Sequence, residues 1–594
     1  MSSTVKTSAP KGLRASIRVA SKNTLVDQRD QNRSPSKRKA STKHNVSLSK
    51  SSSIKILEPT SHTTKMAPKR KATDSHPEVP TKKAKTAASK IAPARVTASK
   101  RLANAKQQIK KTEAAKATLA KKPTNLEVKV KSQKKDKTVA TTKSVPKKVT
   151  KAPVIINTPP TQRLDIYVFG EGSAGELGLG AHKLDGKSPV DVKRPRLNQL
   201  LSAKSVGVVQ LAVGGMHCAA LTHDNRILTW GVNDQGALGR EAAQGGKMMD
   251  LKENADSDSD SDSDENEDSG LNPNEAEPRE IDCTDIEEGT KFAAVYAGDS
   301  TTFALTTDGY VYGWGTFRGN DGILGFRQDV KIQHKPMLIP ELKKITDIAC
   351  GTNHVLALDT KGKVFTWGAG EQNQLARRVV SRTATGALVP REFGLGRKNI
   401  KYIGCGDYHS FAISNKGDVY SWGLNTFGQT GVPKEGLNEE DENTVHLPTK
   451  VESLGDYKFK QITGGAHHTI ACTETGEVLI WGRIDNNQAG ILIEDIPKEN
   501  LFFDENNRPR YLTKPTQIPD IAGTWVATGN DTCIVVDTEG KAYSWGFSSN
   551  YQTGQGTDED ITKATHIDNT AVRGKKLVFA GVGGQFGVLA GCSL

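Results

Sequence analysis

The chain has 594 residues and a formal net charge of +15, with 35% hydrophobic and 25% charged residues. It contains no apolar stretch of membrane-spanning length, and no apolar run at the N-terminus has the form of a secretory leader. Its seven cysteines are odd in number and scattered without a close pair, which argues against a disulfide framework or a zinc site and leaves no metal or cofactor expected.

The charge divides sharply along the chain. Residues 1–160 hold 39 Lys and Arg against 8 Asp and Glu, a balance of +31, so the remainder carries −16. This tail lacks Phe, Trp, Tyr and Cys, has a single glycine at Gly12, and cannot bury a core. It is expected to be disordered when free and to bind DNA by neutralising phosphates. Within it, Lys69, Arg70 and Lys71 are separated by ten residues from Lys82, Lys83 and Lys85, which has the form of a bipartite nuclear import signal and implies an importin partner.

From residue 161 a repeat takes over. Six tryptophans, Trp230, Trp314, Trp367, Trp422, Trp481 and Trp545, are each followed by glycine, at steps of 84, 53, 55, 59 and 64 residues. Each closes the same cassette: a Gly-x-x-His-like turn, an apolar run, a tight polar turn and a second apolar run, as in CGTNHVLALDTKGKVFTWG from Cys350. Two short β-rich runs around a glycine turn form a hairpin, and hairpins repeated at roughly 50 to 60 residues must stack to bury their faces. LDIYVFGEGSAGELG from Leu164 is the second half of a cassette, and VGGQFGVLAG from Val582 is the first half. Six whole repeats and one composite predict an all-β, seven-bladed propeller over 161–594, closed where the two ends pair.

Three irregularities follow in chain order. An acidic run, ADSDSDSDSDENEDSG from Ala255, sits in the long first step and reads as an insertion over about 250–278. After Trp314-Gly315 the usual loop is replaced by TFRGNDGILGF, whose Thr316, Phe317, Arg318, Gly319, Asn320, Asp321, Gly322 and Ile323 predict a protruding polar hairpin. A third loop, ARRVVSRTATGALVPREFGLGRK from Ala376, is basic in an acidic body and offers Arg377, Arg378, Arg382 and Arg391 to an acidic surface such as a histone patch.

GGMHCAALTHDNRILTWGVNDQGALGR from Gly214, followed by AGDSTTFALTTDGYVYGWGTFRGNDGILG from Ala297, closely resembles the regulator of chromosome condensation family, the nuclear exchange factors for the GTPase Ran. The resemblance covers about 161–594 and is most specific at FRGNDGILG. It implies a chromatin-bound catalyst of GDP release, with no bond-making chemistry, whose wedge hairpin presses on the nucleotide site of Ran. It also implies GTPase-facing turns at Asp299, Asn353, Asp407, His217, His467 and His468, and contacts with DNA and histones. Asn353, Phe586 and Ser173 depart from residues usual in the family. Read from the repeats alone, the His-like positions serve better as ties between neighbouring blades. The alternative to an exchange factor is a propeller scaffold that binds chromatin without exchange.

Overall fold

The computed structural model describes residues 154–243, 269–434 and 443–593. The tail to residue 153, its import signal and the acidic run over 244–268 lie outside the described residues.

Both apolar runs of each cassette are antiparallel strands. In the third repeat His354–Asp359 pairs with Val364–Gly368, Val355 opposite Trp367. The turn between them needs a left-handed residue, which Gly362 (φ 72°) supplies there and Asn225 (φ 72°) supplies in the first repeat. Two further strands complete six of the blades and three complete the fifth. Among the described residues seven sheets of four or five strands form the propeller, and a separate two-stranded sheet stands apart from them.

The second strand of most blades is buried at every residue, as in His217–Thr222 and His468–Thr473. Both of its faces meet neighbouring blades, so the apolar runs are continuous where a one-sided sheet would show alternation. Blades one to six span 208–280, 292–338, 345–392, 400–450, 459–517 and 523–566.

The seventh blade is composite. Leu164–Gly170 pairs along its whole length with Phe586–Cys592, from Leu164 opposite Cys592 to Gly170 opposite Phe586. The ring is therefore closed by a strand from each end, and neither Leu164–Gly170 nor Phe586–Cys592 is left with a bare edge. Side chains on the channel wall tie the blades together. Gln210 bonds both the N–H and the C=O of Val295, Tyr296 donates to Asp347 at 2.9 Å, and Trp525 donates to the carbonyl of Ala580 at 2.8 Å.

Because the strands alternate in direction, the Gly-x-x-His turns and the loops after Trp-Gly share one face, here called the front. The tight polar turns lie on the back. Residues 154–163 run along the back face, where the backbone N–H groups of Ile156 and Asn157 donate to the carbonyl of Thr307. The Asn157 amide adds bonds to the carbonyls of Thr306 and Ile345 at 3.0 and 2.9 Å.

Candidate functional site

The Gly-x-x-His turn is a device for joining blades. His217 Nε2 meets Thr302 Oγ1 of the next blade at 2.8 Å, His354 meets Ser410 at 2.9 Å, and His409 meets Thr469 at 2.7 Å. Each hydroxyl donates its single proton to a loop carbonyl, of Ala237, Gln374 or Gln429, so each imidazole must be the Nε2–H donor. The same three carbonyls accept the indole N–H of Trp314, Trp422 and Trp481. His, hydroxyl, carbonyl and Trp thus form one buried relay across each of these three seams. The glycine of the motif is needed because the ring folds over it: a Cβ at Gly351 would collide with the imidazole of His354.

This geometry corrects two expected GTPase contacts. His217 is 1% exposed, and His468 is 0% exposed with Nε2 on Cys533 Sγ at 3.1 Å, so neither side chain reaches the front surface. Burial holds His217 down to about 4 and His354 to about 3, keeping both neutral.

The separate two-stranded sheet is the hairpin expected to serve as the wedge. Phe317–Gly319 pairs with Gly322–Gly325, Arg318 opposite Ile323, around the two-residue turn Asn320-Asp321. Arg318, Asn320, Asp321 and Ile323 are exposed, with Ile323 at 44%. Thr316 and Phe317, expected among the contact residues, are instead fully buried anchors. Thr316 donates to the carbonyl of Lys331 at 2.6 Å. Phe317 stacks on Phe326 at 6.2 Å, and both pack on Phe303, which meets Trp367 edge-on at 5.6 Å.

This aromatic plug explains how the blade accommodates the wedge. The ordinary loop would offer a carbonyl to the next indole, and rings occupy that seam here. Their space comes from Gly313, where sister blades carry Thr229, Thr366, Ser421, Ile480 and Ser544; a Cβ there would strike Phe303 at 2.8 Å and Phe326 at 3.0 Å. Blade three holds the hairpin upright. Asn353 Oδ1 accepts the backbone N–H of Arg318 at 2.8 Å, Glu371 lies against Gly319, and Leu388 packs at Gly325. Asn353 therefore supports the hairpin through a neutral amide oxygen.

Beside the wedge the channel opens in a hollow of about 670 Å³, lined by Asp299, Thr352, Asp407, Asn530 and glycine-rich turns. Burial raises the carboxyl of Asp299, opposed by a hydrogen bond from Ser300 and by the Arg318 charge. Asp407 is pushed up to about 7, first by burial and then by the charges of Asp299 and Asp531. His467 is half-buried nearby, its ring edge-on to Phe427 at 5.2 Å. The wedge, Asp299, Asn353, Asp407 and His467 are thus gathered on the front face.

The basic loop lies on the flank of blade three. Arg377 is turned inward, donating to the carbonyls of Thr366 and Ala387 at 3.0 and 3.2 Å, as Arg240 does to Thr229 and Asn274 in the first blade. That corrects its assignment as a histone contact: it braces the loop. Arg378, Arg382 and Arg391 are exposed and line a hollow of about 560 Å³ whose lining includes no carboxylate. Among the described residues no cluster of His, Cys, Asp or Glu has the arrangement of a metal site.

The contribution of Gly313, Glu371 and Leu388 was not anticipated from sequence. Only Gly313 left a signal, as the one glycine at a position otherwise held by Thr, Ser, Ile or Val.

The RCC1-like domain model matches residues 165–589. The guanine nucleotide exchange factor SRM1 of Saccharomyces cerevisiae is 39% identical over 444 residues, covering 73% of this chain and 88% of SRM1. The structure of Prp20p from Saccharomyces cerevisiae, described with its binding properties to Gsp1p and histones, superposes with a TM-score of 0.65 at 36% identity, over 74% of this chain and 94% of that one. Yeast RCC1 (Prp20) bound to Kap60 gives the same TM-score at 35% identity, over 77% of this chain and 97% of that one. A seven-bladed ring, a hairpin standing on its front face and these likenesses agree: the chain belongs to the RCC1-like domain family.

Proposed function

We propose that this protein is a chromatin-associated guanine-nucleotide exchange factor for a GTPase of the Ran class, acting in the nucleus by binding alone and without bond-making chemistry. One observation carries the reading: a hairpin outside every blade sheet, exposed at Arg318, Asn320, Asp321 and Ile323, on a base made rigid by four stacked or edge-on rings. A small tip on a stiff mount can intrude on a nucleotide pocket without yielding.

The thermodynamics require no catalytic side chain. Nucleotide leaves if the factor binds the open GTPase more tightly than the closed one, and the shift equals that difference in affinity. The front hollow, with Asp299 and Asp407, suits basic groups of the docked GTPase. The exchange-factor name of SRM1 and the Gsp1p binding of Prp20p support the partner.

Chromatin contact is assigned to the basic tail and to Arg378, Arg382 and Arg391, with Prp20p's histone binding as support. The described segment 154–163 lies on the back face, opposite the hairpin. Import by an importin of the Kap60 kind is read from Lys69, Arg70, Lys71, Lys82, Lys83 and Lys85.

The test is release of labelled GDP from purified Ran. The full chain should accelerate it strongly, and deleting Asn320 and Asp321 should lower kcat about a hundredfold, a loss of ~2.7 kcal/mol in the transition state. Unchanged exchange by the shortened hairpin would remove the wedge assignment. Absence of exchange by the intact chain, with histone binding retained, would favour a scaffold.

A further inference from the structure

A repeat scaffold exposes its own exceptions. Five residues past the blade-closing Trp or Phe, the sister loops carry Ala174, Gln235, Gln372, Asn486 and Asn550, and the fourth blade carries Phe427. One residue before the His-like position, the other turns carry Met216, Ser300, Asn353, Asp531 and Gln585, and blades four and five carry Tyr408 and His467. Rings have been placed where neighbouring blades use small or mostly polar side chains, in two adjacent blades only.

These rings join into a ridge. Tyr408 lies 6.3 Å from His467, His467 lies 5.2 Å from Phe427, Phe427 lies 6.3 Å from Tyr511, and Tyr511 stacks on Phe502 at 4.6 Å. The ridge begins beside Asp407 at the channel mouth and ends at Phe502, 45% exposed. Its outer end rests on Leu501–Phe503, which makes this blade the five-stranded one. Arg483 sits over the Phe427 ring at 5.4 Å and shares Asp485 with Arg510.

We propose that this ridge is a docking ledge for the same GTPase that the wedge opens, and that it sets affinity while the wedge sets the rate of release. The inference rests on the exchange-factor reading. Three observations select this occupant. The ledge is continuous with the hollow holding Asp407. It occupies the blades two and three places round a ring of seven from the wedge, so a globular partner pressed by the hairpin also leans on the far side of the channel. Its aromatic and arginine composition is that of an interface anchor, and rings already locked against one another lose little side-chain entropy on docking.

Phe427→Gln and Tyr408→Asn install residue types that sister blades already carry, so the fold has precedent for both. In steady-state exchange on GDP-loaded Ran, the double variant of the full chain should raise KM about tenfold, ~1.4 kcal/mol, and hold kcat within about twofold. Its thermal midpoint should match the parent's. The wedge deletion should give the converse, a fall in kcat with KM retained. A double variant whose KM stays within about twofold of the parent's, in a preparation that exchanges normally, overturns the ledge. An intact chain that fails to accelerate release overturns the reading beneath it.

Discussion

At the scale of single residues, the buried histidines make stability fall on acidification. An unfolded imidazole takes up its proton near 6.5, whereas His354 resists protonation to about 3 and His217 to about 4. In that window the unfolded chain binds more protons than the folded one, so stability falls as pH drops below 6.5. Asp407 works with the opposite sign: its folded value near 7 exceeds the unfolded one, so its contribution is full at low pH and is lost as pH rises through 7. His354→Gln keeps a donor for Ser410 and removes one titrating group. Its urea-derived stability at pH 7 should be lower than the parent's by about 1–3 kcal/mol. Its further decline from pH 7 to pH 5 should be smaller than the parent's by about 2 kcal/mol. An unchanged pH slope would show that His354 protonates freely in the folded ring.

At the scale of elements, the proposed wedge combines a buried aromatic base with an exposed tip. Phe303, Phe317 and Phe326 fill a seam that a loop carbonyl fills elsewhere, and Gly313 makes the space. Gly313→Thr restores the residue of ordinary blades and should force the rings apart, at a cost of about 1–3 kcal/mol for overpacking. The expected result is a lower thermal midpoint and a kcat reduced about tenfold, with GTPase affinity less affected. Calorimetry with single-turnover exchange measures both. A variant with native kcat would mean the hairpin tolerates a displaced base.

At the scale of the whole molecule, closure and polarity govern behaviour. Seven pairs, from Leu164–Cys592 to Gly170–Phe586, join the two ends of the propeller in one blade. Truncation before Phe586 leaves Leu164–Gly170 as a bare edge beside an open seam. It should abolish the single cooperative unfolding transition and send the protein to large species in sedimentation. A monomeric, cooperatively folding truncate would show that the ring survives unclosed. The tail makes a separate prediction. Removing residues 1–153, which carry the whole +31 balance, should weaken DNA binding and flatten its dependence on salt while exchange on free Ran persists. A salt slope equal to that of the full chain would move the phosphate contacts to the propeller.

The repeat count, the composite closure and the hairpin after Gly315 were all legible from the chain, because each follows from local chemistry: glycine turns, apolar runs and a loop of unusual length. What each repeated side chain does was settled only by packing. His217 and His468 share a motif position with surface turns yet are buried against the next blade, and Arg377 stands in a basic loop yet spends its guanidinium on backbone carbonyls. Thr316 and Phe317 read as part of a polar tip and are its buried footing. Turn geometry depends on neighbours in the chain. Burial, hydrogen-bond partners and the meeting of Tyr408, Phe427 and Phe502 depend on residues many tens of positions apart, and only the closed ring brings those together.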